Sequence, residues 1–174
     1  MANRNTQGFG LIPAGTLGST PATAGQGKYK IDAGYGTTIY NGGAVASSAG
    51  YIVEGQGTDT PILGVLNGIF YNAATTLKPT FANFYKQPIT PANSEDIDAF
   101  VFDNPQQQYV VATDDAVAQA GYLETYDMNT SAGSTTTGKS SATLDIDDTS
   151  ADAASFRLLR SAEDPENDEN AAFR

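Results

Sequence analysis

The chain contains no cysteine and no histidine. Without cysteine there are no disulfides, thiolate metal sites or cysteine nucleophiles, and no redox evidence about compartment. Without histidine, Ser-His-Asp and Cys-His catalysis, HExxH zinc chemistry and histidine-based pH switching are excluded. Tryptophan is absent as well, which removes an aromatic platform for sugars. Basic residues are scarce, nine against twenty acidic ones, and the net charge is −11. Those nine are scattered, so nothing offsets repulsion from the condensed negative charge of nucleic acid, and no nucleic-acid partner is expected. No apolar run approaches the length of a bilayer span, and the first residues lack the apolar stretch of a signal peptide. The expectation is no membrane association, and a protein made and used in a cytosol or released from one by lysis.

What the chain does have is the grammar of short strands. With 174 residues it is long enough for one domain, or one domain with an embellishment, and can bury roughly 70% of its unfolded surface. From Gly34 to Tyr71 apolar runs (TTIY, AVA, YIV, ILGVL, IFY) alternate with glycine-bearing breaks, and β-branched and aromatic residues fill the runs. Asn41-Gly42 and Asn67-Gly68 carry the hairpin-turn signal, which predicts that TTIY pairs with AVA and ILGVL with IFY. AFVF (99–102) and YVVA (109–112) read as two strands across Asp103-Asn104-Pro105, a turn in which Asp and Asn bond their own backbone and proline fixes φ. Asp114-Asp115 before AVAQA reads as the cap of one short helix. YLETY (122–126), SATLDID with Leu144 and Ile146 inward, and FRLLR (156–160) complete the strand candidates. Between prolines, Phe81, Phe84 and Tyr85 read either as a plug closing one end of a β-sandwich or as a ligand platform. The tail from Ser161 reads as a solvated acidic loop.

The division that follows is a 1–27 N-terminal arm, a 28–115 main β domain and a 116–174 smaller β and loop-rich extension. Residues 1–27 are rich in Gly, Ala, Thr and Asn around one apolar patch, Phe9, Leu11 and Ile12, followed by Pro13. Such a segment cannot offset its own ordering entropy. It is either a frayed terminus or an arm, extensible to on the order of 90 Å, that orders by laying Phe9, Leu11, Ile12 and Pro13 on another subunit. The fold class is all-β, with short strands and at most one or two short helices.

Three constellations could carry chemistry. Gly133 to Ser140, GSTTTGKS, fits the P-loop pattern G-x-x-x-x-G-K-[ST]. A working P-loop needs a buried strand before it and a helix after it, whereas polar residues precede this one and SSATLDID follows with period two. A Gly/Ser/Thr hairpin loop is the expectation. Asp145, Asp147 and Asp148 resemble a calcium loop but lack its glycine and distal glutamate. Twenty acidic residues guarantee that some carboxylates sit close together, so proximity alone does not identify a glycosidase pair. No enzyme activity, no cofactor and no metal site is expected.

The ordered set G-L-I-P-A-G-T (10–16), P-A-T (21–23), Y-K-I-x-x-G-Y-x-T-x-I-Y-N-G (29–42), I-L-G-V-L-N-G-I-F-Y (62–71), A-F-V-F-D-N-P (99–105) and A-G-S-T-T-T-G-K-S with L-D after it (132–145) resembles the capsid cement, or head decoration, proteins of tailed bacteriophages. It is most similar to those of marine podovirus-like phages. The resemblance implies a β-tulip or β-sandwich-like fold on the outer surface of an expanded icosahedral capsid, assembled in the cytoplasm of a bacterial host. It implies homotrimers at three-fold and quasi-three-fold sites, with arms that clamp neighbouring copies of the major capsid protein. It also leads one to expect an apolar closing strand after FRLLR, which residues 161–174 do not supply. A competing expectation is a tail-fibre or adhesin-like module that binds host surface glycans, which exposed aromatics around Phe81 to Tyr85 would favour.

Overall fold

The computed structural model describes residues 8–18, 25–55, 61–129, 133–147 and 155–162. Its strands, in chain order, are β1 (Ile12–Thr16), β2 (Gly27–Ile31), β3 (Ala44–Ser48), β4 (Tyr51–Glu54), β5 (Ile62–Asn72), β6 (Pro79–Ala82), β7 (Ile97–Phe102), β8 (Gln107–Val110), β9 (Thr125–Tyr126), β10 (Met128–Asn129), β11 (Thr143–Leu144) and β12 (Phe156–Arg157). Helical structure among the described residues is limited to two 3-10 turns, Ala92–Ser94 and Gln119–Gly121. The protein is all-β, as its runs and breaks predict.

Strand β5 organises the main sheet, whose order is β2-β7-β5-β3-β4 with β6 on the second half of β5. All of these pairings are antiparallel. The hairpin expected at Asn67-Gly68 does not form. Instead β5 runs through that dipeptide, and its register against β7 slips between Leu66 and Gly68. Partners on both edges of β5 override the local turn signal, and Asn67 becomes a bulge. The bulge flips side-chain parity, so that Leu66 and Ile69 both enter one core while Val65 enters another.

The second expected hairpin fails differently. Gly42 does take a positive φ of 76° and Gly43 N–H donates to Tyr40 O at 3.0 Å, so a turn is present. TTIY, however, bridges elsewhere, Ile39 to Tyr85, and Asn41 just after it bridges to Lys139. AVA pairs with YIV instead, Ser48 opposite Tyr51, across a two-residue turn in which Ala49 (φ 50°) and Gly50 (φ 89°) are both left-handed. AFVF and YVVA fall on β7 and β8, and Asn104 makes the turn as expected: Gln106 N–H donates to its Oδ1 and Gln107 N–H to its backbone O, both at 2.9 Å. β8 nevertheless leaves β7 and pairs with β1. The helix expected after Asp115 is reduced to the 3-10 turn Gln119–Gly121 at the end of AVAQA, since so short a run does not repay the cost of α-helix nucleation. YLETY is extended only at Thr125–Tyr126, because Leu123 sits at φ 71° in a turn.

Two cores lie on opposite faces of β3 and β5. The first gathers Ile31, Ile39, Val45, Ile52, Leu66, Ile69, Tyr85, Ile97, Ala99 and Val101, of which each large aliphatic is worth about 1.5–3 kcal/mol of burial. The end strands β2 and β4 approach each other, and Glu54 N–H donates to the Tyr35 hydroxyl across that seam at 2.8 Å. The sheet thus curls around its core, and Tyr85 closes one end, donating its hydroxyl to Tyr35 O at 2.6 Å. The second core joins Leu11, Ala44, Val65, Tyr126, Met128, Ala142 and Leu144. Its members come from all three segments into which the sequence divides.

The expectation of a free arm is corrected over residues 8–17. Leu11 is 2% exposed inside the chain's own second core. Leu11 N–H donates to Gly42 O at 2.8 Å, and Gly10 N–H to Ala142 O at 3.2 Å. Residues 1–7, the P-A-T motif at 21–23 and the acidic tail from Glu163 lie outside the described residues.

Candidate interaction surfaces

β1 and β8 form a two-stranded ribbon in which Ile12 faces Val110 and Pro13 faces Tyr109. Two strands alone are marginal, so the ribbon depends on its anchors. At one end Leu11 is buried. In the middle, Tyr109 turns inward against the second core and donates its hydroxyl to Phe102 O at 3.1 Å. Burial, aided by the charge of Asp103, pushes the Tyr109 phenol up to about 12. Outward, the directly opposed Ile12 (49% exposed) and Val110 (36%) share one face of the ladder, and Leu17 is exposed just beyond. Neither residues 8–18 nor 105–113 contain a charged side chain. The result is an uncharged strip with exposed aliphatics on a strongly acidic chain.

Of the four arm residues expected to touch a partner, the structure therefore keeps Ile12 at the surface and removes Leu11 from it. Phe9 and Pro13 are half-buried. Val110 was not foreseen in this strip, although the alternation of YVVA, with Tyr109 and Val111 inward, leaves Val110 outward by period two.

A second surface lies on the outer face of the main sheet. The strand registers line up Phe81 (β6), Phe70 (β5), Asp98 (β7) and Lys30 (β2) in one row. In the next row Gly68 faces Phe100, which faces Lys28. Gly68 leaves room for Phe81 to lean over it, since a Cβ there would meet Phe81 Cζ at 2.7 Å. The Phe81 and Phe100 rings meet tilted, their centroids 6.4 Å apart, and Phe81 is 63% exposed. Asp98 is bracketed by Lys28 Nζ at 2.7 Å and Lys30 Nζ at 2.6 Å. Burial alone would raise the Asp98 carboxyl, but the two ammonium groups outweigh it and hold the group below its ordinary value. Beside this row an open cleft of about 270 Å³ is lined by Phe70, Tyr71, Glu95, Asp96, Asp98 and Lys30, among others.

The aromatic run behaves as three separate residues. Tyr85 is the buried plug, Phe84 stacks on Tyr40 with ring planes 5° apart, and Phe81 belongs to the outer face. The P-loop-like stretch is a closed turn: Ser134 N–H donates to Lys139 O, Gly138 N–H to Ser134 O and Ser140 N–H to Asn41 O. These three amides are thus engaged within the protein rather than converging on a phosphate, and the chain continues into strand β11, not a helix. Asp147 N–H donates to Asp145 Oδ1 at 3.1 Å in a local turn, while Asp148 is outside the described residues. Among the described residues no three or more acidic side chains gather in a way that could hold a metal ion. No family model, curated protein or solved structure matches this chain.

Proposed function

We propose that the chain is a structural protein of a tailed-phage virion, bound to the outer surface of the expanded capsid and contacting the major capsid protein and other copies of itself. The observation that carries this reading is the β1–β8 ribbon: on a chain of net charge −11, it offers an uncharged strip with Ile12, Leu17 and Val110 exposed. Burying such a strip against protein removes apolar surface from water without desolvating any charge. The ordered motifs resembling head decoration proteins supply the identity of the partner. Trimers at three-fold and quasi-three-fold sites would let several weak contacts act together, since each contact raises the effective concentration for the next. Preference for the expanded shell follows if the strip's partner surface exists only there, because only differential affinity locks a conformational equilibrium. An acidic exterior keeps such particles apart.

A glycan-binding tail-fibre module is the second reading, and exposed Phe81 favours it. Burial of Tyr85 and the stacking of Phe84 on Tyr40 take two of the three aromatics away from such a platform. The deciding experiment is quantitative mass spectrometry of DNA-filled particles of the encoding phage, comparing copies of this chain with copies of the major capsid protein. Near-equimolar copies are expected. A small fixed minority would favour the tail-fibre reading, and absence from particles would end both.

A further inference from the structure

We infer that the outer face of β6, β5 and β7, together with the cleft beside it, docks a segment of a different protein that presents an arginine next to an apolar residue. The inference rests on the structural-protein reading, with that segment belonging to the shell partner. Three observations carry it. The face is apolar and open: Phe81 stands 63% exposed over Gly68 and against Phe100. The cleft that continues it, about 270 Å³, is large enough for one long side chain, and Phe70 and Tyr71 offer aromatic surface to a planar cation. Its charge is unbalanced, because Lys28 and Lys30 both form their ion pairs with Asp98, and among the described residues neither pairs with Glu95 or Asp96.

Neighbouring groups register that negative field. Tyr51 is pushed up by the charge of Asp96 and by the hydrogen bond it donates to Asp96 Oδ2. Lys30 is raised first by its bond to Asp98 and further by Asp96 and Glu95. A metal ion is a poor occupant, since these carboxylates do not converge as a ligand set. A guanidinium suits them better: it is planar, weakly hydrated, stacks on aromatic rings and reaches separated carboxylates with its forked donors. The charge complementarity selects a basic side chain, and the adjoining phenylalanines select an apolar neighbour for it.

The probe is N-acetyl-Phe-Arg-amide, titrated into the isotope-labelled full chain and followed at the backbone amides of Asn72, Asp96 and Asp98. N-acetyl-Phe-citrulline-amide, which has the same shape without the charge, is the control. Saturable shifts are expected with the arginine peptide, about tenfold weaker binding with the citrulline peptide, and a similar loss in Glu95→Gln/Asp96→Asn. Phe81→Ala is expected to weaken binding while leaving the spectrum of the free protein otherwise intact. Equal binding of the two peptides, no saturation, or an unaffected double variant would overturn the inference. So would concentration-dependent shifts at these amides without peptide that vanish in Glu95→Gln/Asp96→Asn, since the face would then meet a second copy. Copy number on virions is measured separately. A cleft that ignores the peptide on a chain abundant in particles defeats this inference alone, whereas a cleft that binds it on a chain missing from particles defeats the structural-protein reading.

Discussion

Ala49 is poorly suited to its place. It holds φ 50° at the first central position of the β3–β4 turn and is exposed, with Gly50 at 89° following. A left-handed alanine costs roughly 1–2 kcal/mol, and turns of this kind prefer Asn-Gly or Gly-Gly. Ala49→Asn should therefore stabilise the protein by about 1 kcal/mol, read as a higher urea midpoint at unchanged slope; a lower midpoint would show that the turn is not left-handed there. Asp98 offers a prediction with a pH sign. Its folded pKa lies below the unfolded one because of Lys28 and Lys30. Its stabilisation is therefore complete above the unfolded value near 3.9 and is lost as pH falls through the lower folded value. Asp98→Asn should cost about 1 kcal/mol at neutral pH and approach zero once wild-type Asp98 is protonated, which parallel denaturation curves at the two pH values would reveal. Both residues also mark where local sequence misleads. The two Asn-Gly pairs announce hairpins, yet one becomes a bulge and the other a turn between bridges, while the tight hairpin is made by Ala-Gly, which carries a weaker signal.

At the scale of elements, the runs themselves were legible and their partners were not. The β-branched and aromatic content of YKI, AVA, ILGVL, AFVF and YVVA marks strands, whereas their faces are not read this way, since β3 and β5 bury both faces, Ala44 and Val65 in one core and Val45 and Leu66 in the other. Pairing of β1 with β8, or the row from Phe81 through Phe70 and Asp98 to Lys30, depends on registers set by contacts distant in sequence and on the bulge at Asn67. No local spacing encodes those. The same gap explains the arm: GLIPAGT is too poor in apolar residues to order itself, and only the second core, assembled from elsewhere, gives Leu11 a place. Leu11→Ala should accordingly destabilise the protein by about 2–5 kcal/mol, measurable by chemical denaturation, whereas a loose arm would show no change. Ile12→Ser/Val110→Ser belongs to the opposite case. Both side chains are outward but oppose each other across the ladder, so free-state stability should fall by only about 1 kcal/mol while binding to expanded shells falls steeply. Undiminished shell binding in a sedimentation assay would take the ribbon out of the interface.

For the whole molecule, the decisive feature is that the two cores are not side by side but back to back. β3 contributes Ala44 to one and Val45 to the other, and β5 contributes Val65 and Leu66 likewise. Neither core can lose its packing without stripping a face from strands the other requires. The N-terminal segment adds a further tie, since Leu11 packs in the second core while bonding Gly42 beside β3. Interactions shared in this way make unfolding all-or-none, even though the chain, at 174 residues, is longer than many two-state domains. Calorimetry should give one transition whose van't Hoff and calorimetric enthalpies agree, at about 120 kcal/mol near 60 °C if the full length takes part. A cavity in either core, Ile69→Ala in the first or Leu144→Ala in the second, should move that single transition without splitting it. If Leu144→Ala instead detaches an early transition while the main one stays in place, the second core is an independent extension and the shared strands do not couple the two.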